Sequence, residues 1–287
     1  CFNSTNVVVS VRSSKMLLTH IRVDCNATDD EVVELLCERD QAWKDASIRQ
    51  LPIFTNLRTG TKSSLQQELL CVGVQEEVLH HCLETLEGAS LKVKKITVPI
   101  HATLRAFDRL YRRESDTLIT SLVVDTDQKQ TIAMIAHGMN LVVAAALKYK
   151  SDSSSVKIWD SRPVLVPVGE PTSEFERRNE LPPRGLRQPE KNQCRTGTQV
   201  HDLLIEELQG CMRHHSLLFP ERAIDRVVFS GSGSLQTEDC ASVATKLGLQ
   251  GFIADPSAWI AGADESVSGP IWTTVAGLCL ACSEQLI

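Results

Sequence analysis

Residues 25 to 100 carry a full run of structural signals: helix, two strands, helix, strand. A strand precedes this run and a helix follows it. A stretch patterned in this way forms a small α/β unit of its own, so the chain is expected to be an α/β protein whose larger body is interrupted by a subdomain. The local chemistry supports each element. Thr28 stands before Asp29, Asp30 and Glu31, an N-cap followed by acidic residues that suit the positive end of a helix. Val32, Leu35, Leu36 and Trp43 then recur at helical spacing. Strands are expected over 51–57 and 67–74, separated by Thr59-Gly60-Thr61. A second helix over 76–86 puts Val78, Leu79, Cys82, Leu83 and Leu86 on one face, Gly88 closes it, and a strand over 91–100 completes the unit. Ahead of it, the apolar residues 7–11 and the alternating residues 16–23 read as strands.

The rest of the chain repeats a different theme. A helix over 102–111 leads to a strand over 117–125, a hydrophilic turn at 126–129 and a second strand over 130–136. His137-Gly138-Met139-Asn140 then turns into a third apolar segment. Between 150 and 198 the character changes: Pro163, Pro167, Pro171, Pro182, Pro183 and Pro189 crowd a polar stretch. It reads as a long excursion with one β-ribbon over 156–168. Order returns with Val200, Leu204, Leu208 and Cys211 at helical steps. A strand over 226–230, a helix over 237–247, a strand over 251–254 and a last helix over 272–282 give the tail the character of a parallel α/β edge.

Composition narrows the function classes. With 42% hydrophobic and 23% charged residues the chain is ordinary for a globular protein, and its formal charge of −6 argues against a nucleic-acid binder. Lys92, Lys94 and Lys95, like Arg109, Arg112 and Arg113, read as solvated faces. No apolar run approaches the ~20 residues that span a bilayer. Ten cysteines are scattered singly for the most part, several on apolar helix faces where a thiol packs as a small hydrophobe, so a reducing, cytoplasmic setting is expected. The chain opens without Met or a charged-then-apolar leader, almost inside a strand, and upstream residues are therefore expected.

Two places could carry chemistry. Gly231-Ser232-Gly233 lies between a strand and a helix, where glycines let backbone approach a ligand near free N–H groups. The 125–131 hairpin offers Asp125 at the end of a buried strand and the Thr131 hydroxyl six residues on, a pair that can hold a hydrated metal and a phosphate. Each taken alone is also an ordinary turn. Cys279 with Cys282, Cys211 with His214 and His215, and His80, His81 with Cys82 lack further partners at ligand spacing, and are read as packing or surface residues. No nucleophile elbow or Ser/His/Asp pattern is present.

In combination these elements resemble the actin-like ATPase superfamily, with its RNase H-like two-lobed fold, and within it the PilM family of type IV pilus assembly proteins. The likeness rests on residues 7–23, on the unit 25–100 ending Leu91-Lys92-Val93-Lys94-Lys95-Ile96-Thr97-Val98-Pro99, on residues 102–131, and on Arg226-Val227-Val228-Phe229-Ser230-Gly231-Ser232-Gly233 through Ala254-Asp255-Pro256. It implies a partial first lobe over 1–24, an inserted subdomain over 25–100, and the remaining elements of both lobes over 101–287. Residues 7–23 would be a hairpin preceding the subdomain. ATP and Mg²⁺ are the implied cofactors, held near Asp125, Thr131, Gly231, Ser232 and Gly233. The family's phosphate hairpin reads Asp-x-Gly, however, and here Asp127 replaces the glycine. That puts a second carboxylate where backbone should meet phosphate, which argues against ATP binding and more strongly against hydrolysis. The resemblance therefore implies a scaffold with a degenerate nucleotide site, peripheral to the membrane through the cytoplasmic tail of a PilN-like membrane partner, and able to form oligomers. The alternative is a working ATPase or small-molecule kinase on the same fold.

Overall fold

The computed structural model describes residues 6–13, 16–58, 65–107, 119–127, 130–148, 186–187, 200–232, 237–258 and 268–283. The turn at 59–61, the ribbon at 156–168 and Gly233 lie outside the described residues.

The main body is built on a six-stranded sheet. Three consecutive strands, β6 (Thr120–Thr126), β7 (Thr131–His137) and β8 (Asn140–Leu147), pair antiparallel through short turns. On the other side of β6 lies β10 (Arg226–Ser230), parallel to it, then β11 (Gln250–Ala254), parallel to β10. The two-residue β9 (Leu186–Arg187) closes the order β8-β7-β6-β10-β11-β9. Helices α4 (Val200–Leu218) and α5 (Thr237–Leu247) make the crossovers. β6 and β7 are buried at every position, because both faces of the sheet are covered. Leu122, Val124, Ala133, Ile135, Val227 and Phe229 face α4 and α5. Their neighbours Val123, Ile132, Met134, Val228 and Phe252 face the opposite core, with Ile100 and Leu104 of α3 (Pro99–Ala106) and its C-cap Phe107. Strand alternation thus splits one sheet between two cores.

The first strand and the return strand meet around the insertion. β1 (Asn6–Ser10) pairs parallel with β5 (Lys92–Thr97), Asn6 opposite Lys92. The hairpin expected of residues 7–23 does not form. β2 (Leu17–Asp24) pairs instead with β4 (Leu65–Gln75), and β3 (Ala46–Arg58) lies on the far side of β4. The reason is burial: Ile21 and Val23 of β2 join Leu69 and Cys71 of β4 under Val32 and Leu36 of α1 (Asp29–Arg39) and Trp43. Trp43 is accommodated by Gly73, where any side chain would meet the indole ring at 2.7 Å. The other face of this three-stranded sheet, Leu70, Val72 and Val74, packs into the same core as α3.

Local signals explain the ends of the elements. Thr28 and Glu31 form a reciprocal capping box at the start of α1. α2 (Glu76–Gly88) runs through Gly88, and Ser90 takes the left-handed conformation that ends it. The strand expected to reach residue 100 stops at Thr97, because Pro99 cannot donate to a ladder but is suited to the first turn of a helix. The last helix, α6 (Thr273–Ser283), lies on α3 so closely that a β-carbon at Gly277 would drive into the Ala102 carbonyl. No helix among the described residues is long and apolar enough to cross a membrane.

Candidate functional site

The parallel strands β6, β10 and β11 all point the same way, and their C-terminal ends carry Asp125, Ser230 and Asp255. Such an end of an open α/β sheet is where ligands usually bind. Asp125 is wholly buried. Ser230 Oγ, opposite it in the ladder, donates to Oδ1 at 3.1 Å. Thr103 Oγ1, from α3, donates to Oδ2 at 3.3 Å. Because Thr103 gives its hydrogen to Asp125, Thr274 of α6 is the donor in the 3.0 Å contact between the two threonines. Oδ2 also receives Arg12, which follows β1.

Arg12 has a second carboxylate. Its other terminal nitrogen lies 3.1 Å from Asp127 Oδ2. The guanidinium therefore spans Asp125 and Asp127, with its side chain 16% exposed. Burial works against its charge, but the two carboxylates outweigh that and hold Arg12 above its ordinary value. Asp127 Oδ1 also accepts from Gln130 N at 2.7 Å, which fixes the hairpin. In this geometry the two acidic residues do not form an open pair that could share a hydrated cation: an arginine already bridges them. The arrangement does not fit the nucleotide–metal group that the resemblance implies.

The five residues singled out in the sequence divide as follows. Asp125 and Gly231 come together: Gly231 takes a positive φ of 96°, its N–H donates to Pro270 O at 3.0 Å, and a β-carbon there would run into the Thr126 carbonyl and lie 2.7 Å from Asp125 Oδ1. The glycine is needed to seat this loop on the hairpin. Thr131 is buried opposite Thr126, and its Oγ1 has no hydrogen-bond partner among the described residues. Ser232 is exposed, and Gly233 lies outside the described residues. Asp255 is committed locally, its Oδ1 accepting from Gly269 N at 3.0 Å and Ser257 Oγ at 2.7 Å. Sequence reasoning missed Arg12, Thr103, Ser230 and Thr274. The one available signal was a lone basic residue directly after the apolar strand at 7–11.

Among the other candidates, Cys211 sits in the core, its thiol pushed up to about 11 by burial first and by Glu207 second. Its neighbours diverge: His215 Nε2 meets His137 Nε2 at 2.9 Å, whereas His214 turns toward Glu68.

No protein-family model matches the chain, and no curated protein matches it. Solved structures do. The chain is similar to a PilM–PilN type IV pilus biogenesis complex at 16% identity and a TM-score of 0.59, with 96% of this chain and 79% of the other covered. A Bacteroides thetaiotaomicron protein of actin-like ATPase fold and unknown function is matched at 10% identity and TM-score 0.38, over 84% of this chain and 64% of the other. A diol dehydratase-reactivating factor in nucleotide-free form is matched at 12% identity and TM-score 0.40, over 88% and 48%. The first of these carries the comparison. The fold is the actin-like α/β fold that the order of elements led us to expect.

Proposed function

We propose that this chain is an actin-like scaffold of a type IV pilus or related secretion assembly, that its nucleotide site is degenerate, and that it works by holding a peptide tail. One observation carries the degenerate site: Arg12 takes up both Asp125 and Asp127, the carboxylates a cation would need. The assembly context comes from the PilM–PilN structure whose fold this chain shares. On this reading the protein acts in the cytoplasm at the inner face of the membrane, and its partner is the cytoplasmic tail of a PilN-like membrane protein. The unit 25–100, with β2, is the inserted subdomain, and an extended tail lies in the groove between it and the first lobe, a mode that asks for sheet edges and packing rather than chemistry.

A second reading, nucleotide binding, has one observation in its favour. Thr131 Oγ1 and Gln130 Oε1, in the same hairpin, are buried without hydrogen-bond partners among the described residues. Calorimetric titration of the full chain with ATP and Mg²⁺ separates the two, with Asp127→Gly and Arg12→Gln alongside. The degenerate reading expects no heat from the native protein and a gain in at least one variant. Saturable binding by the native protein would overturn it.

A further inference from the structure

Three donors that are distant in sequence meet where the three-stranded sheet touches the main body. His20 lies on β2, Glu68 on β4 and His214 on α4. His20 Nδ1 stands 3.7 Å and His214 Nε2 3.9 Å from the same oxygen, Glu68 Oε1. All three atoms fall within 4.8 Å of one another. Those separations are too long for hydrogen bonds, and both ring nitrogens are buried without a hydrogen-bond partner among the described residues. Two orphaned nitrogens aimed at one carboxylate oxygen, itself on a residue only 5% exposed, are costly as they stand. An ion among them removes that cost. Donors bonded to a tetrahedral ion at ~2.0–2.2 Å lie about 3.3–3.6 Å apart, so a modest contraction brings all three onto one centre. The His214 side chain, 42% exposed on the helix surface, can supply that movement and leaves an entry path for the ion.

We propose that His20, Glu68 and His214 bind one divalent transition-metal ion of the Zn²⁺ class. Two imidazoles and one carboxylate select such an ion over Mg²⁺ or Ca²⁺, and three protein ligands leave the fourth position to water. The surroundings sharpen the inference. Arg22 donates to Glu68 Oε2 at 3.1 Å, which orients the carboxylate and leaves Oε1 for the ion, while its charge tempers the affinity. His20 Nε2 accepts from the Ala144 N–H at 3.2 Å, so the neutral ring carries its proton on Nδ1. An ion at Nδ1 requires that proton to sit on Nε2, facing a second donor. Metal binding therefore exchanges one link for another: the bond from β2 to the edge strand β8 loosens, and β2 and β4 become tied to α4. None of these residues belongs to the Asp125 cluster, and the site stands independently of the proposed scaffold role.

The test is a Co²⁺ titration of the chelator-stripped full chain, followed by visible absorption and calorimetry. The expected result is one Co²⁺ per chain with the ligand-field bands of nitrogen and oxygen ligation. The ten cysteines of the chain could capture Co²⁺ instead, and would reveal themselves by sulfur-to-metal charge transfer. His214→Ala, an exposed helical position, should weaken binding by at least ~100-fold, the upper end of what even a supporting residue commands. Glu68→Gln should do the same, and His80→Ala on α2 should change nothing. If Glu68→Gln does not fold, His214→Ala decides alone. No Co²⁺ binding, charge transfer as the sole signal, or affinity indifferent to His214→Ala would overturn the proposal.

Discussion

Replacing Arg12 with glutamine tests the cluster at its centre. The side chain keeps its apolar stem but loses the charge that spans Asp125 and Asp127. Breaking a buried ion pair by removing one partner costs about 3–5 kcal/mol, because the remaining charge is left uncompensated. Two features reduce that figure here. Asp125 keeps the donors Ser230 and Thr103, and Arg12 is itself 16% exposed, so water can replace part of its field. A loss of roughly 2–3 kcal/mol is the reasoned expectation. The assay is urea unfolding of the native chain, Arg12→Gln, Asp125→Asn and the double variant. Since the neutral amide of Asp125→Asn no longer needs a cation, the double variant should cost less than the sum of the singles, by about 2 kcal/mol. A loss below about 0.5 kcal/mol for Arg12→Gln, or strict additivity, would refute the claim that this arginine neutralises a buried carboxylate.

Three further outcomes follow from the same geometry. Gly231→Ala combines a positive φ with a collision against the Thr126 carbonyl, and should cost about 3 kcal/mol or more in chemical unfolding or abolish soluble expression. Thr103→Val keeps the shape but loses the donor to Asp125 and the acceptor for Thr274, and should cost about 1–3 kcal/mol by the same measurement. The buried pair His137 and His215 sets an acid limb. Burial, then Arg222 and His215, push His137 down to about 4, so below the ordinary value of 6.5 the unfolded chain takes up a proton that the folded chain refuses. Stability should be full above pH 6.5 and fall as the pH drops toward 4, by up to about 3 kcal/mol from this group. His137→Gln should flatten that slope in unfolding measured across the range.

The sequence revealed those parts of the fold in which neighbours along the chain are neighbours in space. Thr28 and Glu31 signalled α1, and the hydrophilic turn before Thr131 signalled the β6–β7 hairpin. Pairings that close around an insertion were not legible. β1 finds β5 across more than eighty residues, and the alternation of residues 16–23 fits a strand without saying which strand it joins. The site divided in the same way. Asp125 and Gly231 could be seen because each ends a buried strand at a turn. Arg12 could not, since a single arginine after a strand looks like any solvated charge until the fold brings two carboxylates to it. Thr103 and Thr274 were hidden for a similar reason: two helical hydroxyls meet only because Gly277 lets α6 lie against α3. His20, Glu68 and His214 come from three separate elements, and no spacing rule could join them.

Magnitudes also bear on what the closed cluster would do to a nucleotide. A ligand that needs Asp125 and Asp127 must first displace Arg12 from both. If opening costs the roughly 2–3 kcal/mol reasoned for loss of Arg12, the competent form is scarce and apparent affinity falls by about one and a half to two orders of magnitude. Ligand at a hundred times its dissociation constant returns about 2.7 kcal/mol, so the lock is offset only where nucleotide is in large excess. A protein that cycles nucleotide would be poorly served by such a lock, whereas a scaffold gains from it, because β1, α3, α6, β6 and β10 are held together from within. The two roles then predict opposite responses to one substitution. In a locked scaffold, Arg12→Gln should lower stability and raise ATP affinity together. If Arg12 instead contacts the nucleotide, the same change should lower both, and the degenerate-site reading would fail.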